Sequence, residues 1–303
     1  MKRRTLVLGA VIACLALPAL AVVVSGAVHF FETRATGSLH GRDYIVHVPP
    51  TYDPSKPTPL VLSLHGGKSA PAQQMAFSQW NRVADKHGFI VVYPAGVGGA
   101  LKVWPMWGDR DPERMPDVVY ISELIDKLQG TYNVDPARIY ANGFSNGGGM
   151  AWVLSCTLSH RIAAIGAVGA AYFQPWAWCR DRTPVPFVAF HGTADPGTRY
   201  HGGVHQLIAP NHFFPSIPDW SAKWARRNSC VAPPKESAVA PDVTRLEYGG
   251  CEKNASVVLY TLKGGGHTWP GGLEGPEWLV GPTARSLDAS EAMWEFFKAH
   301  PRR

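Results

Sequence analysis

Apolar residues along this chain alternate between two kinds of run. Tyr44–Val48, Leu60–Leu64 and Phe89–Tyr93 are short apolar blocks. The last is apolar at every position, the pattern of a strand buried on both faces. Between these blocks the spacing becomes helical. Gln73–Lys86 has a helical period and ends at His87-Gly88, with Gly88 as the stop signal. Asp117–Leu128 carries the stripe Val118, Ile121, Leu124, Ile125 and Leu128, with Asp117 as its expected cap. Arg138–Ala141 reads as a short strand running directly into Gly143-Phe144-Ser145-Asn146-Gly147. Further strands are predicted at Ile165–Val168, Phe187–Phe190 and Val257–Leu262. A closing helix has Asp288 as N-cap, Glu291 three residues later, and Met293, Phe296 and Phe297 on one face.

Alternation of strands and helices over the whole length predicts an α/β protein with a mostly parallel central sheet and helices on both faces. No repeat and no Ser/Pro-rich linker interrupts it, so a single catalytic domain is expected over residues 37–303, after a leader of residues 1–36. The stretches Ala95–Pro116 and Tyr172–Pro184 are rich in Trp and Pro and read as long loops, which in compact domains are more often functional than idle.

Composition narrows this picture. Of 303 residues, 46% are hydrophobic and 17% charged, which excludes a disordered chain. The 31 glycines and 26 prolines follow no collagen period and mark tight turns. Lys2, Arg3 and Arg4 supply three of the six net positive charges, so the body carries only about +3, with no Lys/Arg block. Nucleic acid is therefore not an expected partner.

Those three cations precede a stretch, Thr5 to Phe31, free of Asp, Glu, Lys and Arg. This is the layout of an export signal, with candidate cleavage sites after Ala19-Leu20-Ala21 and Ser25-Gly26-Ala27. The apolar run is longer than the ~7–15 residues usual for a signal core, so an uncleaved anchor over residues 5–28 competes with cleavage. Val11-Ile12-Ala13-Cys14 loosely resembles a lipoprotein box but sits in mid-run. Cleavage and anchoring both export the body, and membrane contact is expected only through such an anchor.

Apart from Cys14, the cysteines are Cys156, Cys179, Cys230 and Cys251. An even number in an exported chain reads as two disulfides, and no CxxC metal or redox pair is present. Of three connectivities, sequential pairing (156–179 and 230–251) closes the shortest loops and is the one expected.

Gly143-Phe144-Ser145-Asn146-Gly147 matches the G-x-S-x-G elbow, a sharp strand-to-helix turn that lifts a serine hydroxyl above the sheet at a helix N-terminus. An alkyl hydroxyl needs a base to become a nucleophile. His267 follows the Val257–Leu262 strand in the glycine-rich loop 264–272 and is the best placed of the twelve histidines. The imidazole in turn needs an acid, and Asp195 follows the strand Phe187–Phe190 at the end where open α/β sheets carry their sites. The chain order Ser145, Asp195, His267 is that of α/β-hydrolases. His65-Gly66-Gly67, directly after Leu60–Leu64, resembles an oxyanion segment. Amides near Gly66 or Gly67 and the amide of Asn146 are its candidate donors. Trp269, Trp107 and Trp104 are candidate substrate contacts, with Trp269, two residues past the base, foremost; Trp176 and Trp178 share the loop setting. His201, His205 and His212 lack the context of a metal site and read as exposed loop, so no metal or organic cofactor is expected.

These motifs together resemble the exported polyhydroxybutyrate depolymerase-type esterases, a family that includes feruloyl and acetylxylan esterases. The resemblance spans about residues 37–300. It rests on His65-Gly-Gly, Val134-Asp-Pro-Ala-Arg-Ile-Tyr140, Gly143-Phe-Ser-Asn-Gly-Gly148, His191-Gly-Thr-Ala-Asp195-Pro, Gly264-Gly-Gly-His267-Thr-Trp-Pro-Gly-Gly272 and the closing helix. It implies an α/β-hydrolase fold, Ser145, Asp195 and His267 as the triad, and a disulfide near the elbow helix that Cys156 and Cys179 would form. Gly149-Met150 departs from relatives that carry a bulkier residue there, a matter of packing. The expected function is an exported serine esterase acting on feruloyl or acetyl esters of polysaccharide or on short hydroxyalkanoate oligomers. The rivals are acyl transfer on the same scaffold and a catalytically silent envelope-binding module. The sequence does not choose among the esters, or specify an oligomeric state.

Overall fold

A computed structural model describes residues 34–302, except 100–101, 106–114, 171–178, 180, 182 and 206–208. Residues 1–33 of the expected leader, with the anchor, and Trp107, Trp176 and Trp178 lie outside the described residues, as do the side chains of His205 and His212, whereas residues 34–36, expected to end the leader, belong to the first strand of the sheet. His201 is described and exposed. Among the described residues no helix is long and apolar enough to cross a membrane.

Among the described residues ten strands form the central sheet. In chain order these are β1 (Arg34–Leu39), β2 (Arg42–His47), β3 (Thr58–Leu64), β4 (Ile90–Pro94), β7 (Val134–Phe144), β8 (Ala164–Val168), β9 (Phe187–Gly192), β12 (Lys235–Ala240), β13 (Val243–Tyr248) and β14 (Val257–Leu262). Two small ladders complete the strands: β5 (Val97–Gly98) with β6 (Lys102–Val103), and β10 (Gly203–His205) with β11 (Ala209–Phe214). The main sheet runs β1-β2-β4-β3-β7-β8-β9-β14-β13-β12. From β4 to β14 every neighbouring pair is parallel, and antiparallel strands close both edges. The expected mostly parallel sheet is present, with these antiparallel borders added.

Helices cover both faces: α1 (Pro71–Ser78), α2 (Trp80–His87), α3 (Pro116–Thr131), α4 (Asn146–Thr157), α5 (Ile217–Arg227), α6 (Glu277–Val280) and α7 (Ala289–Lys298). Because successive strand side chains point to opposite faces, β3 sends Leu60, Leu62 and Leu64 into the core beneath α3, α4 and α5. Its Val61 goes instead to the core under α2 and α7. Every residue of β3 and β4 is buried; β4 accordingly reads as an unbroken apolar run, while β3 carries the buried polar Ser63 among its leucines.

Several boundaries differ from the pattern-based expectation. The single helix expected over 73–86 is two helices, broken at Gln79, whose φ of 53° is left-handed. The break re-aims the chain so that Trp80, Val83 and Ala84 all enter the core, a tertiary demand that a local helical period does not contain. Gly88 ends α2 as expected, at φ 73°. Asp117 is not the cap of α3. Met115 occupies that position, and the Asp117 carboxylate lies in the first turn, 2.5 Å from Arg42 Nη2. Burial raises the Asp117 pKa, against the pull of the Arg42 guanidinium. In α7, by contrast, Asp288 accepts from the Glu291 amide as expected. Met293 and Phe297 are fully buried and Phe296 only partly so. Both disulfides are the expected ones, Cys156–Cys179 and Cys230–Cys251.

Candidate active site

Ser145 stands between β7 and α4 with φ 51° and ψ −116°, a strained conformation for a residue with a side chain. The flanking glycines make that turn sterically feasible. A Cβ at Gly143 would lie 2.2 Å from the Gly147 carbonyl carbon, and one at Gly147 would lie 2.3 Å from the Leu64 carbonyl oxygen. The chain therefore folds back on itself without room for a methyl group. The Ser145 amide donates to Val168 O at 2.8 Å, which ties the turn to the neighbouring strand β8.

Asp195 follows β9. Its side chain is fully buried, and its Oδ1 accepts from the amides of Gly197 and Thr198, both at 2.7 Å. Its Oδ2 lies 2.8 Å from His267 Nδ1. A carboxylate can only accept, so Nδ1 carries the proton and Nε2 of the neutral ring is left as the acceptor. Burial opposes ionisation of Asp195. Even so, hydrogen bonds from His191 and His267 hold its carboxyl well below the usual carboxylate range.

Ser145 and His267 line one cavity of about 350 Å³ together with Gly66 and Gly67. The ring of Phe144, the residue before the serine, packs 4.7 Å from the His267 ring. No direct hydrogen bond joins the Ser145 hydroxyl to His267 among the described contacts, a common state of such pairs before substrate binds. Gly67 approaches the elbow closely, since a Cβ there would lie 3.4 Å from Asn146 Cβ. Among the described residues the amides of Gly66 and Gly67 donate to no backbone carbonyl, and Asn146 opens helix α4, where first-turn amides have no intrahelical acceptor. These three N–H groups thus have no backbone acceptor among the described residues.

Two tryptophans expected at substrate are built into the scaffold. Trp104 is fully buried, which corrects its expected role as a substrate contact. Its indole N–H donates to His65 O at 2.9 Å, and its backbone is clasped by the Asn146 carboxamide through bonds of 2.7 and 3.0 Å. Trp269 borders the cavity but is only 2% exposed, and its indole donates to Ser290 Oγ on α7. At that exposure it offers the cavity no open stacking face.

Two further histidines, His191 and His65, support the site from within the fold. His191 lies buried with Nε2 2.7 Å from Thr198 O and 3.4 Å from Asp195 Oδ2, the same carboxylate oxygen that faces His267. His65 is fully buried beneath the Gly66-Gly67 turn. Its Nε2 accepts from the Gly96 amide at 2.9 Å, which leaves Nδ1 to donate to Gly66 O at 2.7 Å. Desolvation pushes its pKa down to about 4, so the ring is neutral at ordinary pH. Each stands inside a motif already singled out, but only the packing reveals what the ring touches.

Comparison with known proteins agrees with this architecture. The family described as "Esterase PHB depolymerase" matches residues 42–176. Feruloyl esterase B of Piromyces equi is 31% identical over 234 residues, covering 75% of this chain and 42% of that protein. The putative esterase NocK of Nocardia uniformis subsp. tsuyamanensis is 30% identical over 272 residues, covering 84% of this chain and 78% of that protein. The chain thus spans less than half the length of some curated relatives, 31% and 42% in two cases. Among solved structures, an acetyl xylan esterase from Aspergillus awamori superposes with a TM-score of 0.63 over 88% of this chain and 98% of that one. Identity there is 14%, and the likeness is one of fold, the α/β-hydrolase fold.

Proposed function

The chain belongs to the PHB-depolymerase family of esterases, and from that premise we propose that it is an exported serine esterase with one catalytic domain over residues 37–303. It hydrolyses carboxylic esters through an acyl-enzyme on Ser145. The observation that carries this reading is the His267–Asp195 hydrogen bond on the wall of a cavity shared with a serine in a strained elbow.

In the first half-reaction Ser145 Oγ attacks the ester carbonyl while His267 Nε2 takes its proton. Asp195 holds the ring in the Nδ1–H tautomer and stabilises the imidazolium that forms. Amides of Gly66 or Gly67 and of Asn146 donate to the tetrahedral oxyanion, at the N-terminus of α4 where the helix dipole favours negative charge. His267 then protonates the leaving alcohol. Water, deprotonated by the same ring, releases the acid and restores the serine. Feruloyl or acetyl esters and short hydroxyalkanoate oligomers are the substrate classes, the first in keeping with the Piromyces equi relative and the last with the family's description. Export is supported by the charged and apolar leader and by two disulfides, which persist in oxidising compartments.

Ser145→Ala is the test. Hydrolysis of p-nitrophenyl acetate is expected to vanish while circular dichroism and the melting profile stay those of the parent. Turnover retained in that variant would remove Ser145 from the mechanism.

A further inference from the structure

One buried carboxamide at the cavity has no part in that chemistry. Gln74, on α1, lines the cavity and is 1% exposed. It belongs to a chain of four buried polar groups. Gln74 Nε2 lies 3.0 Å from Ser63 Oγ, Ser63 Oγ lies 3.0 Å from Asn142 Oδ1, and Asn142 Oδ1 lies 3.2 Å from Trp80 Nε1.

The direction of every bond in this chain follows from its far end. An indole N–H only donates, so the Asn142 atom facing Trp80 must be the oxygen. That oxygen only accepts, so the single hydroxyl proton of Ser63 is committed to it. Ser63 Oγ is then left as an acceptor, and Gln74 must turn its NH₂ toward it. The Gln74 oxygen is consequently the free end, and it has no protein donor among the described residues. Asn142 Nδ2 is buried without an acceptor. Flipping that amide would relieve it only by setting an N–H against the indole N–H. The polarity of the network is therefore imposed by Trp80 and delivered to the cavity at Gln74.

We propose that Gln74 is a specificity-determining residue whose carboxamide oxygen accepts a hydrogen bond from a hydroxyl of the bound ester. A buried acceptor facing an apolar cavity is costly when unpaired and favourable when it meets a donor, so such a site discriminates against analogues that lack the hydroxyl. The shared chemistry is a hydroxyl donor, carried either by a phenolic acyl group or by a hydroxyalkanoate. The inference rests on the esterase reading and adds to it the atom that selects the substrate.

The experiment compares kcat/KM for two sets of methyl esters: 4-hydroxycinnamate, 4-methoxycinnamate and cinnamate; then 3-hydroxybutyrate, 3-methoxybutyrate and butyrate. Hydroxyl and methoxyl differ little in their electronic effect on the distant ester, so their comparison isolates the donor. In one set the hydroxyl ester is expected to exceed both analogues by about tenfold, and which set does so tells phenolic from aliphatic substrate. In Gln74→Met that ratio falls to about one, whatever the variant's absolute rate. Equal rates for hydroxyl and methoxyl esters in both sets would overturn the proposal, since an outward NH₂ would donate to either oxygen. A hydroxyl preference that survives in Gln74→Met would overturn it too. Should that variant not fold, the hydroxyl-to-methoxyl ratio of the parent protein decides. Failure of the esterase reading looks different: no ester is hydrolysed in either set.

Discussion

His65 ties acid sensitivity to the turn that supplies the candidate oxyanion amides. The ring is fully buried, both its nitrogens are engaged, and desolvation lowers its pKa from 6.5 to about 4. Because the folded value lies below the unfolded one, the unfolded chain binds the proton first. Stability is therefore complete above pH 6.5 and is lost as pH falls toward 4. With the two values about 2.5 apart, linkage gives a loss of ~2 kcal/mol by pH 5 and ~3 kcal/mol near pH 4. Protonation would put an N–H on Nε2 against the Gly96 N–H, so the loss is concentrated where Trp104 and the Gly66-Gly67 turn meet. Activity is a poor readout, because the chemical step has a pH dependence of its own. Urea unfolding of the parent and of His65→Gln at pH 7, 6, 5 and 4.5 is the direct assay. His300, whose pKa burial also lowers, is common to both proteins and cancels in the difference. The variant is expected to be less stable at pH 7 yet to lose ~2 kcal/mol less on going to pH 5. Parallel pH profiles for the two proteins would refute the reasoning.

Asp195→Asn leaves the hydrogen-bonded geometry nearly isosteric but removes the charge that stabilises the imidazolium. kcat for p-nitrophenyl acetate is expected to fall ~10³–10⁴-fold with little change in KM; a loss under tenfold would argue against the assigned role. Gly147→Ala drives a methyl group to 2.3 Å from the Leu64 carbonyl oxygen. It should destabilise the protein by more than ~3 kcal/mol, and a parent-like melting temperature would contradict the packing described for the elbow. Replacing Cys156 and Cys179 with serine opens a loop of 23 residues, and a loss of about 3 kcal/mol in urea unfolding is expected, with no such loss pointing to compensation in the unfolded chain.

How legible the molecule was depends on how local each feature is. β4 and β14 were readable because a strand buried on both faces is apolar at nearly every position. α7 was readable because its cap, Asp288, and the Glu291 amide are three residues apart. The edge strand β12 was not, since its Lys235–Ala240 face is exposed and carries no apolar alternation. The break at Gln79 and the partner of Asp117 were hidden for a related reason: each is decided by a contact distant in sequence, the core site of Trp80 in one case and Arg42 in the other. Trp104 shows the same limit at the site, since an aromatic residue in a Trp-rich loop reads as a surface for substrate until its indole is found bonded to His65.

By itself the sequence determined the central strands of the sheet and the helices at 117–128 and 289–298, the elbow around Ser145 and the serine–acid–histidine order along the chain. Periodicity, turn chemistry and capping act over a few residues and leave their marks there. Tertiary structure alone decided that Asp195 meets His267 across 72 residues, that His65 and His191 stand behind the site, and that Trp80 sets which end of Gln74 faces the cavity. The direction of a buried hydrogen bond depends on the donor and acceptor inventory of groups brought together by the fold, and no local pattern along the chain records that meeting.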